Sequence, residues 1–391
     1  MNSTLHIFNP DNDLALANNN ENYQSPASAR KMGEDLAVLP AWWAQSGDAV
    51  LVPSIGEARI WQQEVAGFLP DVDWYSIRQI PDFDCIRPWG WNPALLKFLR
   101  LWGVADKVLL SVEQMKRLRT LSSRLSAVDI LPRLVSSEHF CGESVYCTTE
   151  QEVVSALKLF SESILKAPYS SSGKGLRWGH GVYEPVLGNW CRRILKGQAG
   201  VVVEPLYNKV EDFAMEFYAE GGNVRFIGYS LFRTDSNGAY IGNLLATHKE
   251  IENRLCEKVD RNTLQQLRPA ILSVLSGWLQ NTCYRGYLGV DMMICRFPDF
   301  PFFRIHPCVE INLRMNMGVV ARIFYDRYVA EGAKGIFSVS YRGDSEALLA
   351  EHKKLEESYP LQIENNRIVS GYLSLAPVTR RTCYRAYVLI E

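Results

Sequence analysis

No strong charge of either sign marks this chain: Lys and Arg total 42 against 43 Asp and Glu, a formal net charge of -1. That balance gives no general electrostatic reason to bind nucleic acid or an anionic membrane, so any anion site must be local. Long apolar runs are missing too, and none reaches membrane-spanning length. The segment Met1–Asn9 lacks the basic and apolar regions of a signal peptide. The nine cysteines include no C-x-x-C pair, which removes the usual zinc and redox patterns. They read instead as small buried side chains in a reducing compartment, and the cytoplasm is the expected location. No internal repeat or low-complexity tract appears. What remains is a chain of 391 residues, 47% apolar and 22% charged. That is the composition of a folded globular protein with room for two or three packed subdomains.

The first hundred residues read as alternating strands and helices. Short apolar runs at Leu5–Phe8, Ala49–Val52 and Trp74–Ile77 predict strands, and Asn92-Pro93 predicts a helix start with Leu95, Leu96, Leu99 and Trp102 on one face. This alternation predicts a small parallel α/β domain over residues 1–108. The polar loop Asn9–Asp13 after its first strand lies where ligands of open α/β sheets bind. Seven of the ten tryptophans fall here, for most of which core packing is the simplest reading.

A basic helical linker, Ser111 to about Val135, comes next, and Thr149 and Glu152 form a capping box. Strands are predicted at Ile164–Lys166, Gly200–Glu204, Phe213–Ala219 and Val224–Phe232, with a further hairpin turning at Asn237-Gly238. A long amphipathic helix covers Thr263–Thr282, and two strands follow, Tyr287–Arg296 and Phe302–Arg314. The remainder ends in strand-like runs and carries no assignable motif.

Two clusters carry chemistry. Ser170-Ser171-Ser172-Gly173-Lys174-Gly175 is a small-residue loop whose N–H groups can curl around an anion. It is not a Walker A loop, since glycine, not Ser or Thr, follows Lys174. Alone it would more often be a surface turn, but Lys166 closes an apolar strand just before it. A lysine in that position is costly unless it meets an anion or a carboxylate. The second cluster is Asp291 with Glu310 and Asn312. Residues i and i+2 of a strand share a face, and counting back from a Phe297–Phe302 pair sets Asp291 opposite Cys308, on the face of Glu310 and Asn312. Those oxygen donors suit a magnesium ion held partly by phosphates, and Arg314 continues along that face with a fork for phosphate. Between the clusters, Val201–Tyr207 is a buried strand ending at Glu204-Pro205-Leu206-Tyr207, whose backbone can read an adenine edge, with Glu211 and Asp212 beyond it for ribose hydroxyls.

In this order the motifs resemble those of the ATP-grasp superfamily of carboxylate–amine or thiol ligases, over about residues 110–325. The matching pieces are Lys166-Ala167-Pro168 leading into Ser171–Gly175, then Val203-Glu204-Pro205, Gly289-Val290-Asp291 and Glu310-Ile311-Asn312-Leu313-Arg314. The resemblance implies an α/β (α+β) class: a two-lobe ATP-grasp fold preceded by a Rossmann-like parallel domain. Its regions would be 1–108, a first lobe with the lid loop at 109–200, a second lobe with the metal site at 201–330, and a C-terminal extension at 331–391. It further implies ATP and Mg2+ as cofactors. Lys166, Lys174 and the lid Ser171, Ser172, Gly173 and Gly175 would hold phosphates. Glu204, Pro205, Leu206 and Tyr207 would form the adenine hinge, with Asp212 (or Glu211) on the ribose. Asp291, Glu310 and Asn312 would bind the metal, and Arg314 would face the transferred phosphoryl group. The implied partners are a small-molecule carboxylate and a nucleophile, with no nucleic acid and no membrane, and with a homodimer left open. A kinase of the same superfamily or a silent nucleotide-binding module would share the ATP residues.

Overall fold

The computed structural model describes residues 3–65, 67–77, 82–170, 175–235 and 240–391. Among these residues, three sheets follow one another along the chain. The first is parallel, in the order β3-β2-β1-β4, and contains β1 (Thr4–Ile7), β2 (Ala49–Leu51), β3 (Asp73–Tyr75) and β4 (Cys85–Pro88). Its first strand is buried throughout, as the apolar run requires. The strand β4 is absent from the sequence reading because Cys-Ile-Arg-Pro holds one fully buried residue and no apolar run. The Asn92 side chain accepts from the Leu95 N–H at 2.9 Å, and Leu95, Leu96 and Leu99 are buried on the predicted face of Pro93–Leu101.

The linker is two helices, Val112–Leu121 and Leu125–Leu134, where the sequence suggested one. The break falls at Ser122-Ser123-Arg124, two hydroxyls that bond to nearby backbone and so compete with the helix. The second sheet is antiparallel, in the order β5-β8-β6-β7, with β5 (Val145–Cys147), β6 (Ser163–Lys166), β7 (Leu176–Gly179) and β8 (Val201–Pro205). Helices Glu150–Leu159 and Pro185–Gln198 bury its apolar residues, and the Thr149–Glu152 capping box is formed. The predicted lid residues Ser171, Ser172, Gly173 and Lys174 lie between β6 and β7, outside the described residues, as does the Asn237-Gly238 turn.

The third sheet has nine strands in the order β13-β12-β9-β10-β11-β14-β17-β16-β15. They are β9 (Lys209–Glu220), β10 (Asn223–Thr234), β11 (Tyr240–Leu245), β12 (Arg285–Arg296), β13 (Phe303–Asn312), β14 (Gly335–Tyr341), β15 (Gln362–Glu364), β16 (Arg367–Ser374) and β17 (Tyr384–Ile390). Residues Phe213, Met215 and Phe217 of β9 meet Leu264, Leu267, Ile271, Leu275 and Leu279 of helix Arg261–Leu279 in one core. The opposite face of the sheet carries helix Met317–Tyr328. Residues 335–390 thus continue the sheet that holds β12 and β13, joined through β14 on β11. No helix among the described residues is long and apolar enough to cross a membrane.

Trp42 ties the first sheet to the last strands. Its indole N–H donates to Leu375 O at 2.9 Å, its carbonyl accepts from Tyr328 Oη at 2.9 Å, and its ring packs edge-on against Trp61, Phe324 and Tyr328. It is 1% exposed. Trp42→Ala is therefore expected to destabilise the fold by about 3–5 kcal/mol, read as a lower midpoint in urea unfolding.

Candidate functional site

Strand alternation builds the site. On β9, Asp212, Ala214 and Glu216 share one face, while Phe213, Met215 and Phe217 point into the helix-covered core. The neighbouring strand pairs Met293 with Asp212, Asp291 with Ala214 and Gly289 with Glu216. Phe297 N–H donates to Phe302 O at 2.8 Å, as counted from the sequence. Farther along, a bulge between Asp291 and Met293 shifts the register, so Asp291 lies opposite Glu310 and not Cys308. Met293 pairs with His306 and Asp291 with Glu310, so β13 carries two residues more than β12 across the bulge. An even insertion returns the side chains to their original face. Asp291, Glu310 and Asn312 therefore still converge.

One cleft of about 830 Å³ is lined by Lys166, Glu204–Tyr207, Asp212, Asp291, Glu310, Asn312 and Arg314. Its roof includes Leu176 and Trp178 of β7. Lys166 and Glu204 form a buried ion pair at 2.5 Å, and Ser144 Oγ donates to the other Glu204 oxygen at 3.2 Å. The cost anticipated for Lys166 is thus offset by a carboxylate from the adjacent strand. Asn312 Nδ2 donates to Asp291 Oδ2 at 2.9 Å. Arg314 forks onto Asp13, with Nε to Oδ1 at 2.8 Å and Nη2 to Oδ2 at 2.5 Å. Asp212 accepts from Thr234 Oγ1 at 3.1 Å and from Lys209.

Of the two ribose candidates, only Asp212 lines the cleft. Glu211, one residue earlier on the strand, pairs with Lys258 at 2.8 Å. At the hinge, the Leu206 N–H already donates to Glu162 O at 2.8 Å, and Tyr207 O accepts from Lys209 N–H at 2.9 Å. Tyr207 Oη accepts from Glu143 N–H at 3.1 Å, and its ring meets His306 edge-on at 5.7 Å. Burial pushes the His306 imidazole down to about 4. Gly175 O accepts from Ala167 N–H at 2.9 Å. A Cβ at Gly175 would fall 2.3 Å from the Ser170 side chain, so the residue closing the loop must be small.

Several residues of the site escaped the sequence reading. Arg124, at the head of helix Leu125–Leu134, donates to Ala167 O and Ser170 Oγ, both at 2.6 Å, and to Glu310 Oε2 at 2.8 Å. Nothing in the local sequence distinguishes it from its basic neighbours. Glu216 is 1% exposed and accepts from Asn316 Nδ2 at 2.9 Å. A Cβ on Gly289 or Gly318 would lie 2.5 Å or 2.2 Å from its oxygens, so both positions must lack one. Here a signal was available: a carboxylate inside the apolar run Phe213–Ala219, in phase with Asp212. His248 packs beside Phe226 and is not among the cleft residues.

The electrostatics follow from the shared face. Burial first, then the nearby Glu310 charge, raises Asp291 to about 7, against the Asn312 hydrogen bond and Arg314. Burial likewise raises Glu216 to about 8, with Asn316 opposing and Asp291 adding to the rise. Burial opposes the Arg314 charge, but Asp13, Glu310 and Asp291 outweigh it and raise the guanidinium further. Among the described residues no group of three or more His, Cys, Asp or Glu side chains is arranged to hold a metal. Asp291, Glu310 and the Asn312 amide thus fit a hard cation only where phosphate oxygens and waters complete its shell.

No known family profile matches the sequence, and no curated protein does. Solved structures do match over the whole chain. The biotin carboxylase–β-γ-ATP complex from Campylobacter jejuni is 12% identical, with 100% of this chain and 87% of that one covered at a TM-score of 0.52. The ADP complex of N5-carboxyaminoimidazole ribonucleotide synthetase is also 12% identical, with 100% and 92% covered at a TM-score of 0.50. This chain therefore has the ATP-grasp fold, mixed α and β, with a parallel sheet ahead of the antiparallel sheets that flank the cleft.

Proposed function

We propose that this chain is an ATP-dependent ligase that activates a small-molecule carboxylate as an acylphosphate and joins it to an amine or other nucleophile, releasing ADP and phosphate. One observation carries the reading: a single cleft holds Lys166 and the Glu204–Tyr207 segment together with Asp291, Glu310, Asn312 and Arg314. The solved enzymes named above are a synthetase and a carboxylase, crystallised with ADP and with β-γ-ATP.

On this reading Glu204, Pro205, Leu206 and Tyr207 back the adenine, and Asp212 accepts from the ribose. Lys166 retains two donors beyond its bond to Glu204 and turns them to phosphate oxygens. Ser171, Ser172, Gly173, Lys174 and Gly175 close over the phosphates and keep water from the acylphosphate. Asp291, Glu310 and Asn312 would hold Mg2+, which when bound draws negative charge from the transferred phosphoryl group. The carboxylate oxygen attacks the γ-phosphorus in line as the bond to the ADP oxygen breaks, and the nucleophile then displaces phosphate from the acyl carbon. No protein nucleophile is needed, since positioning and charge stabilisation supply the rate. Arg314, aimed by Asp13, steadies the oxyanion formed in the second step. Arg124 positions Glu310 and the start of the lid through its hydrogen bonds to Ala167, Ser170 and Glu310.

Screening acids and amines for ADP release tests this. Glu310→Ala is expected to lower turnover at least about 10²–10³-fold with an unchanged circular dichroism spectrum. Free phosphate should appear only when both acid and nucleophile are present. Wild-type turnover in the variant would refute the site, and a stable phosphorylated product would convert the reading to a kinase.

The raised carboxyls set a pH dependence. An acid whose folded pKa lies above its unfolded value binds more protons when folded, so its contribution to stability is lost as pH rises toward that folded value. Without cation or nucleotide, the melting temperature is expected to fall as pH rises through about 7 and 8, the values of Asp291 and Glu216. Glu216→Gln should remove the upper part of that fall. Magnesium with a nucleotide should raise the melting temperature more at pH 8 than at pH 6, because the cation competes with the proton on Asp291.

A further inference from the structure

A second cavity lies beyond Arg314, between the parallel sheet and the far end of β9 and β12. Its volume is about 110 Å³, several times the ~10–15 Å³ that one water needs. Arg87, Arg285, Arg314 and Arg327 line it, and Asp48 is the one carboxylate among its lining residues. That carboxylate is already committed, to His6 Nε2 at 3.0 Å and the Gln45 N–H at 2.9 Å.

The cations are unevenly matched. Arg314 is neutralised by Asp13 across the wall that separates the two cavities. Arg285 pairs with Glu220 at 3.2 Å in an exposed contact. Arg327 donates to the backbone carbonyls of Ala44 at 3.0 Å and Trp42 at 3.5 Å. The Arg87 guanidinium makes no hydrogen bond or ion pair with any described residue, although the residue is half-buried in β4 beside His6. Arg87, Arg225 and Arg327 all lie close enough to Tyr287 to oppose the upward pull of burial on its phenol. A half-buried guanidinium without a partner is costly, and its planar fork matches a carboxylate.

The walls are aromatic. Trp43, Trp91, Tyr218 and Tyr287 are each half-buried around the cavity. Tyr218 and Tyr287 meet edge-on at 5.0 Å, and Arg225 covers the Tyr218 ring at 4.9 Å. Trp43 and Trp91 thus differ from Trp42, Trp61, Trp74 and Trp89, which are buried in the core. Flat π faces beside an unpaired guanidinium favour a ligand that is planar and anionic.

We propose that this cavity is a second ligand site, which binds a small aromatic carboxylate with Arg87 on its carboxyl group and the Trp43, Trp91 and Tyr287 rings against its flat frame. The cavity shares only Trp89 and Arg314 with the lining of the large cleft, and the proposal stands whether or not the chain is a ligase.

Tryptophan fluorescence of the full chain, titrated at constant ionic strength with benzoate, cyclohexanecarboxylate and inorganic phosphate, tests it. Benzoate is expected to give a saturable change, with cyclohexanecarboxylate and phosphate markedly weaker and with saturating ATP leaving the benzoate curve unmoved. Arg87→Gln should weaken benzoate by about tenfold or more, and Arg87→Lys, which keeps charge but loses the fork, by an intermediate factor. Either variant suffices if the other fails to fold. Four outcomes would overturn the proposal: no saturable benzoate binding, equal affinity for the three anions, displacement by ATP, or undiminished affinity in a folded Arg87 variant.

Discussion

Three carboxylates on one face of a buried sheet constrain everything around them. Glu216, Asp291 and Glu310 come from three adjacent strands; the Glu310 charge raises the cost of ionising Asp291, and Asp291 raises that of Glu216. The structure relieves this with donors rather than with distance. Asn312 and Asn316 each give an amide N–H, Arg124 reaches Glu310, and Arg314 adds a positive charge in the same field. Glycines at 289 and 318 make the space that Glu216 needs. A face of this kind is held together by its fold and remains short of positive charge, which is the condition in which a cation with its own anionic ligand binds well.

Two arginines carry that face outward to other parts of the molecule. Arg124 links the loop after β6 to Glu310 on β13, so the roof and floor of the cleft share one guanidinium. Arg314 does the same for the parallel sheet through Asp13, at the carboxyl end of β1 where ligands of such sheets bind. These are bidentate or multi-point contacts with planar geometry, which fix orientation as well as position. The cleft is therefore assembled from three separate sheets, and the aromatic, arginine-rich cavity lies on the other side of the Arg314 wall.

Much of this was legible in the residues. The run Phe213–Ala219 and the helix spacing of Leu264 to Leu279 locate the main core because burial imposes a period on apolar side chains. Capping at Asn92 and Thr149 marks helix starts because orphan N–H groups need acceptors nearby in sequence. Arg124 was not legible as part of the site, and Asp13, though in the loop read as a ligand position, could not be matched to Arg314, since the partners lie 186 and 301 residues away. Similarly, β14 and β17 could be read at most as isolated runs, and nothing local reveals that they extend the sheet of β12 and β13.

The sequence by itself determined which residue types recur at which period, and so the shared face of Asp291, Glu310 and Asn312. That face survived a wrong register because the bulge adds an even number of residues and side-chain alternation has a period of two. Tertiary structure alone decided which carboxylate faces which, that Lys166 meets Glu204, and that Glu211 turns away while Asp212 enters the cleft. Those outcomes depend on strand pairing and long-range packing, which no local pattern encodes.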